Sequence, residues 1–254
     1  MSAEPRRRTA SGRADELPDA LVSERLLLAR HARGFSQEDL SSRSGVPQST
    51  ISKYEKRVAD VSDAHLNALA ESLDFPVSFF VKQNLERRGF ATACKFPRKR
   101  QRLGVRKLNQ LQARMNILAE HAAEMLASVE ADHEAVFPRF TLSDDGQEED
   151  IADLVRRTWR VPPTGPIRNL VREVERAGGL VFRFDFETDD LDAVSMWPDD
   201  MPPIFFMNSR MPGDRSRFSL AHEIGHMVMH RVPTDEQEPQ ADRFAAAFLM
   251  PAVD

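Results

Sequence analysis

The chain has 254 residues, 41% hydrophobic and 30% charged, with a formal net charge of -5. That length holds two domains of ordinary size, and the composition excludes a chain disordered throughout. Its single cysteine, Cys94, excludes an intramolecular disulfide and a Cys-rich zinc site.

No run approaches the roughly 18 apolar residues of a membrane span. The arginine cluster near the N-terminus has no apolar stretch behind it, so it does not read as a secretory signal. The chain reads as cytoplasmic, with no membrane partner. Mild overall acidity leaves room for local basic patches, and those decide nucleic-acid binding.

Residues 1–19 are polar and charged and read as a disordered tail. Helical periodicity begins at "LVSERLLLARHARG" and continues in short pieces to about Phe80, giving a helical unit over 20–82. Within it, Ser36 is a natural N-cap for "QEDLSSRS", with Asp39 three residues on as a loose capping box. Gly45 supplies a tight turn, and "PQSTISKYE" forms the next helix. Helix, glycine-containing turn, helix is the geometry that sets a recognition helix into the major groove of double-stranded DNA. Gln48 and Ser49 fall near the start of that helix, where side chains reach base edges, and glutamine suits bidentate contact with adenine. Ser52 and Lys53 lie one turn on. Gln37 heads the preceding helix, where phosphate contact is expected. Val46 and Ile51 fit core positions.

Residues 83–149 read as a basic linker, "ERRGFATACKFPRKRQRLGVRK", followed by a long amphipathic helix from about Val105 to Ala131. In that helix Leu108, Leu111, Met115, Leu118, Ala122, Met125 and Val129 alternate spacings of three and four, an a/d seam. The seam suits either pairing with a second copy, in a homodimer, or packing on the neighbouring domain. From Asp150 to Trp159 the pattern is helical again, and "IRNLVREVERA" is another amphipathic helix, ended by Gly178 and Gly179. "LVFRFDF", "LDAVSMW" and "IFFMNS" read as strands of a small antiparallel sheet. Trp159 and Trp197 read as core.

The next helix carries "FSLAHEIGHMVMH", in which His222, Glu223 and His226 spell H-E-x-x-H. Residues four apart lie on one helix face, so His222 and His226 can bind one zinc ion. Glu223, on the same turn, is placed to take a proton from a zinc-activated water. His230 is excluded as a further ligand, because it lies about 12 Å from His222 along a straight helix. The last helix, from about Gln237 to Met250, offers Glu238 as third ligand and Asp242, four residues on, to orient a ligand histidine. Glu236 is the rival, without an acidic partner one turn on.

Two resemblances follow. Residues 25–80, with "SQEDLSSRSGV", "ISKYE" and "LNALAESLDFPVSFF", look like the Cro/C1-type (XRE) helix-turn-helix family. Arg57 stands where that family usually has glycine and Val61 where proline is usual, both in the loop after the recognition helix. Residues 150–254, with "RFSLAHEIGHMVMH" and "ADRFAAAFLMP", resemble the ImmA/IrrE-type metallopeptidases. That likeness implies zinc at His222, His226 and Glu238, a general base at Glu223, and a repressor of the helix-turn-helix class as peptidase substrate. The fused arrangement also resembles regulators of short-chain fatty acyl-CoA assimilation, which implies a non-catalytic regulator whose zinc domain senses a ligand or stress signal. The only tyrosine is Tyr54, so His230 or Arg217 is left to stabilise an oxyanion. Family members normally continue past "LMPAVD", so the likeness implies either missing substrate-binding helices or a truncated form.

The expected fold is mainly α with a small α+β domain. It comprises a five-helix Cro/C1-type bundle, a helical middle segment, and a zincin-like domain with a small antiparallel sheet and the H-E-x-x-H helix.

Overall fold

A computed structural model describes residues 19–82, 103–128, 136–198, 201–230 and 234–251. The expected tail lies outside them except for Asp19, as do the expected linker up to Arg102 and Cys94. The described residues fall into two compact units, divided between Asn84 and Leu85.

The first unit is helical throughout: α1 (Asp19–Ala32), α2 (Gln37–Ser44), α3 (Gln48–Glu55), α4 (Asp63–Leu73) and α5 (Val77–Val81). The capping box at α2 is closed in both directions. Ser36 Oγ accepts from the Asp39 backbone N–H at 3.0 Å, and the Ser36 N–H donates to Asp39 Oδ2 at 2.8 Å. Gly45 ends α2 at φ 71°, a left-handed conformation that glycine adopts without a Cβ penalty. Leu26, Leu40, Ile51, Leu69, Leu73 and Phe80 form the buried centre, with Val46 beside them. The loop after α3 keeps a left-handed residue at Arg57, φ 59°. The backbone thus takes there the conformation glycine would supply, and the guanidinium is held by Glu24 of α1. The substitution changes the cost of this turn and leaves its geometry in place.

The second unit contains α6 (Val105–Ala127), α7 (Leu142–Asp145), α8 (Glu148–Thr158), α9 (Leu170–Arg176), β1 (Leu180–Phe184), β2 (Ala193–Met196), β3 (Ile204–Asn208), α10 (Gly213–Met229) and α11 (Gln237–Leu249). All three expected strands form, in the order β1-β3-β2. The sheet is mixed rather than antiparallel: β2 pairs antiparallel with β3, but β1 pairs parallel with it, Leu180 opposite Ile204. Every residue of β2 and β3 is buried. A strand covered on both faces is apolar at successive positions, as "IFFMN" is.

Strand alternation then divides the side chains between two cores. Ala193, Phe205 and Met207 join α8, α9, α10 and α11 on one side, through Val155, Trp159, Val174, Ile224 and Phe248. Val194, Met196, Ile204 and Phe206 face the other side, where α6 covers them with Leu111, Met115, Ala119 and Ala122. The seam of α6 is therefore used against the sheet of its own unit, while Met125 stays 72% exposed. Trp159 is fully buried and Trp197 packs half-buried on the same core.

One buried cation ties this side together. Arg156 of α8, 1% exposed, donates to the carbonyls of Pro162, Gly165 and Phe248. A guanidinium presents five donors, and a buried one must have them met. Those bonds anchor the far end of α11. Arg243 of α11 adds a 2.6 Å bond to Glu148 of α8, which holds the Glu148 carboxyl below its usual range.

Candidate metal centre and nucleic-acid interface

Helix α10 is positioned by what flanks it: β2 and β3 beneath, α11 across. Gly225, within H-E-x-x-H, is a point of close approach to α11. A Cβ there would lie 2.9 Å from Phe244 Cδ1 of α11. This close approach carries the acidic side chains of α11 to the histidines of α10.

Three of the residues expected to bind metal converge. His222, His226 and Glu238 each bring one ligand atom into a group spanning no more than 4.8 Å. The two histidine Nε2 atoms are 2.9 Å apart, Glu238 Oε1 is 3.4 Å from His226 Nε2, and Glu238 Oε2 is 3.8 Å from His222 Nε2. Tetrahedral zinc with ligands at about 2.0–2.1 Å separates them by about 3.3–3.4 Å, so these distances bracket what the ion needs. Glu236 is outside the group and serves as the N-cap of α11.

The other nitrogen of each histidine is also engaged. His222 Nδ1 lies 2.8 Å from Asp242 Oδ1, so it carries the proton and leaves Nε2 its lone pair. His226 Nδ1 lies 3.0 Å from His230 Nδ1, and His230 Nε2 lies 3.0 Å from Gln240 Oε1. Burial, followed by the neighbouring His226, pushes the His230 imidazole down to about 4, so it is neutral at pH 7. Two Nε2 lone pairs and a carboxylate facing one point form a donor set complementary to a divalent cation of zinc's borderline softness.

Glu223 is 3% exposed, and its Oε2 accepts from Ser195 Oγ at 2.5 Å. Ser195 is the one polar residue of β2, on the side of the strand that faces α10. A carboxylate tied at one oxygen by a short, charge-assisted bond is fixed in direction. The sequence reading did not single out Ser195 or Gln240. In "AVSM" the only signal was a hydroxyl inside an otherwise apolar strand.

The two groups considered for an oxyanion are directed elsewhere. Arg217 donates to the carbonyl of Ile167, and both ring nitrogens of His230 are engaged as described.

In the first unit, α3 presents Gln48, Ser49 and Lys53 to solvent, with Ser52 half-buried one turn on. Gln37 is not extended outward. Its Oε1 accepts from Gln48 Nε2 at 2.7 Å, and its Nε2 donates to Glu55 Oε2 at 2.8 Å. Glu55 is held in turn by Arg30 at 2.5 and 2.8 Å. The first residues of α2 and α3 thus present one joined amide surface, anchored from inside by an ion pair.

Comparison with known families agrees with both halves. Residues 26–80 match the family model for the helix-turn-helix domain of XRE type, and residues 174–254 match that of the IrrE N-terminal-like domain of the M78 peptidases. The second match begins in α9 and takes in the sheet, α10 and α11, while α6, α7 and α8 lie in neither matched segment. No curated protein and no solved structure matches the chain.

Proposed function

From a chain that joins a helix-turn-helix domain to an IrrE-like peptidase domain, we infer a DNA-binding transcriptional regulator that carries a zinc-dependent peptidase site directed at a repressor of the helix-turn-helix class. The helix-turn-helix domain supports DNA binding and regulation, and the second domain is of peptidase type. Zinc, the cleavage step, the protein substrate and a homodimer on a two-fold operator belong to the proposal. The observation that carries it is the convergence of His222, His226 and Glu238 beside a buried, oriented Glu223.

In this reading His222, His226 and Glu238 hold the ion, and Asp242 fixes the ligand nitrogen of His222. Bound zinc supplies Lewis acidity and a water acidic enough to give a nucleophile near neutral pH. Glu223 keeps Oε2 on Ser195 and uses Oε1 to take a proton, then passes it to the leaving amine. On DNA, Gln48 and Ser49 read base edges, Ser52 contributes from the same helix, and Lys53 contacts phosphate. Gln37 acts by holding Gln48.

A second reading has its own observation. Arg217 donates through one nitrogen to the Ile167 carbonyl, and both ring nitrogens of His230 have protein partners. That favours a regulator whose metal domain senses a ligand, such as a short-chain acyl-CoA, without cleaving protein. Glu223→Gln separates the two. The peptidase reading expects zinc retained at one per chain, repressor cleavage lost, and regulation abolished. Regulation and DNA binding that survive this substitution establish the sensor instead.

A further inference from the structure

We propose that His230 and Gln240 form a relay that decides which nitrogen of His226 faces the metal, making His230 a positioning residue rather than an oxyanion donor. The proposal rests on the reading of His222, His226 and Glu238 as metal ligands.

The argument starts from Gln240. Its Oε1 can only accept, and it sits 3.0 Å from His230 Nε2. The His230 proton therefore belongs on Nε2, and a neutral imidazole with Nε2–H has a lone pair at Nδ1. That lone pair faces His226 Nδ1 at 3.0 Å, so His226 must carry its proton there. His226 Nε2 is then unprotonated, 2.9 Å from His222 Nε2 and 3.4 Å from Glu238 Oε1. With the reverse tautomer at His230, its Nε2 lone pair would face the Gln240 oxygen lone pairs, and the ligand nitrogen of His226 would be protonated.

The backbone makes this reach possible. His230 caps α10 in an extended conformation, φ -109° and ψ 104°, and its N–H donates to the His226 carbonyl at 3.0 Å. The four-residue spacing sets the His230 ring beside that of His226, with centroids 5.1 Å apart. His222 is set by a different device, the Asp242 carboxylate at 2.8 Å. One α11 helix thus sets both ligands: Asp242 directly, and Gln240 through His230.

The test is zinc affinity of the full chain, measured by competition with a chromogenic chelator. His230→Ala is expected to weaken binding about 10- to 100-fold, the usual cost of losing a support behind a ligand. His230→Gln, which can offer an oxygen to His226 Nδ1–H, is expected to recover most of that loss. Wild-type affinity in His230→Ala overturns the proposal, as does a loss of affinity that His230→Gln leaves entirely unrepaired in a folded protein. Should the alanine variant fail to fold, nitrogen-15 histidine spectra of the zinc-loaded wild type decide. A proton on His230 Nε2 with Nδ1 bare supports the relay, and the opposite tautomer ends it. A wild type that takes up no zinc defeats the metal reading itself, before any variant is compared, and this proposal with it.

Discussion

The two units handle polar side chains in opposite ways. In the helix-turn-helix unit the residues expected to meet a ligand are at the surface: Gln48, Ser49 and Lys53 are exposed on a short helix over an apolar centre. In the peptidase-type unit they are more enclosed: His222 is 9% exposed and Glu223 3%, with His226 and Glu238 half-buried. An exposed side chain can bond to water until its ligand arrives, although Gln48 is also held by Gln37. A desolvated one must be satisfied inside the protein. Ser195, behind the buried Glu223, is therefore part of the second site, while Asp242, His230 and Gln240 contact its histidines from less enclosed positions. One site is backed by a short chain of contacts from Gln48 through Gln37 and Glu55 to Arg30, the other by a buried carboxylate and linked histidines.

That contrast can be broken by experiment, starting where it is strongest. Glu238→Ala removes a proposed metal ligand and is expected to lower zinc affinity by more than about 100-fold, beyond the loss of any supporting residue. Elemental analysis of the purified variant checks it, and one zinc per chain would remove Glu238 from the site. Gly225→Ala places a methyl group against Phe244 where the two helices approach closely. It is expected to cost about 1–3 kcal/mol of stability in the second unit. Thermal unfolding followed by near-ultraviolet circular dichroism, which reads Trp159 and Trp197, would show no shift if the helices can move apart freely.

Smaller effects are expected in the first unit. Gln48→Ala is expected to relax preference at one base position by about 1–3 kcal/mol. Lys53→Ala is expected to weaken binding evenly across sequences and to reduce the salt slope by about 1. Binding to an operator selected in vitro, titrated with salt, distinguishes these; an even loss for Gln48→Ala would make it a phosphate contact. Smallest is Ser36→Ala, which opens the capping box at about 1 kcal/mol. It is measured by denaturant unfolding of the full chain, with DNA affinity little changed once the protein is folded.

Much of the site was legible because its geometry is local. Four-residue spacing on a helix places His222 over His226 and Glu238 in line with Asp242 wherever those helices go. The capping box at Ser36 and the turn at Gly45 are likewise contained within a few residues of chain. The support for His226 was not legible. His230 does sit four residues from His226, but its meeting with Gln240 joins two helices that no local spacing relates. The antiparallel sheet was expected because consecutive strands joined by turn residues suggest a meander, whereas β1 and β2 here flank β3 and β1 runs parallel to it. Likewise the α6 seam suited two partners equally, and heptad spacing describes a surface without naming what covers it.

By itself the sequence determined most of the helices, though not α7, and the strands, the exposed face of α3 with Gln48, Ser49 and Lys53, and the pairing of two histidines with two carboxylates. These follow from backbone periodicity and capping, which act over a few residues. Only the tertiary structure decided the strand order, the covering of the sheet by α6, the burial of Arg156 among three carbonyls, and the contacts of Ser195 with Glu223 and of Gln240 with His230. Each joins groups far apart in the chain: the α6 cover is held by burial of apolar side chains, and the polar contacts because a group removed from water must find its partner where the fold has put one.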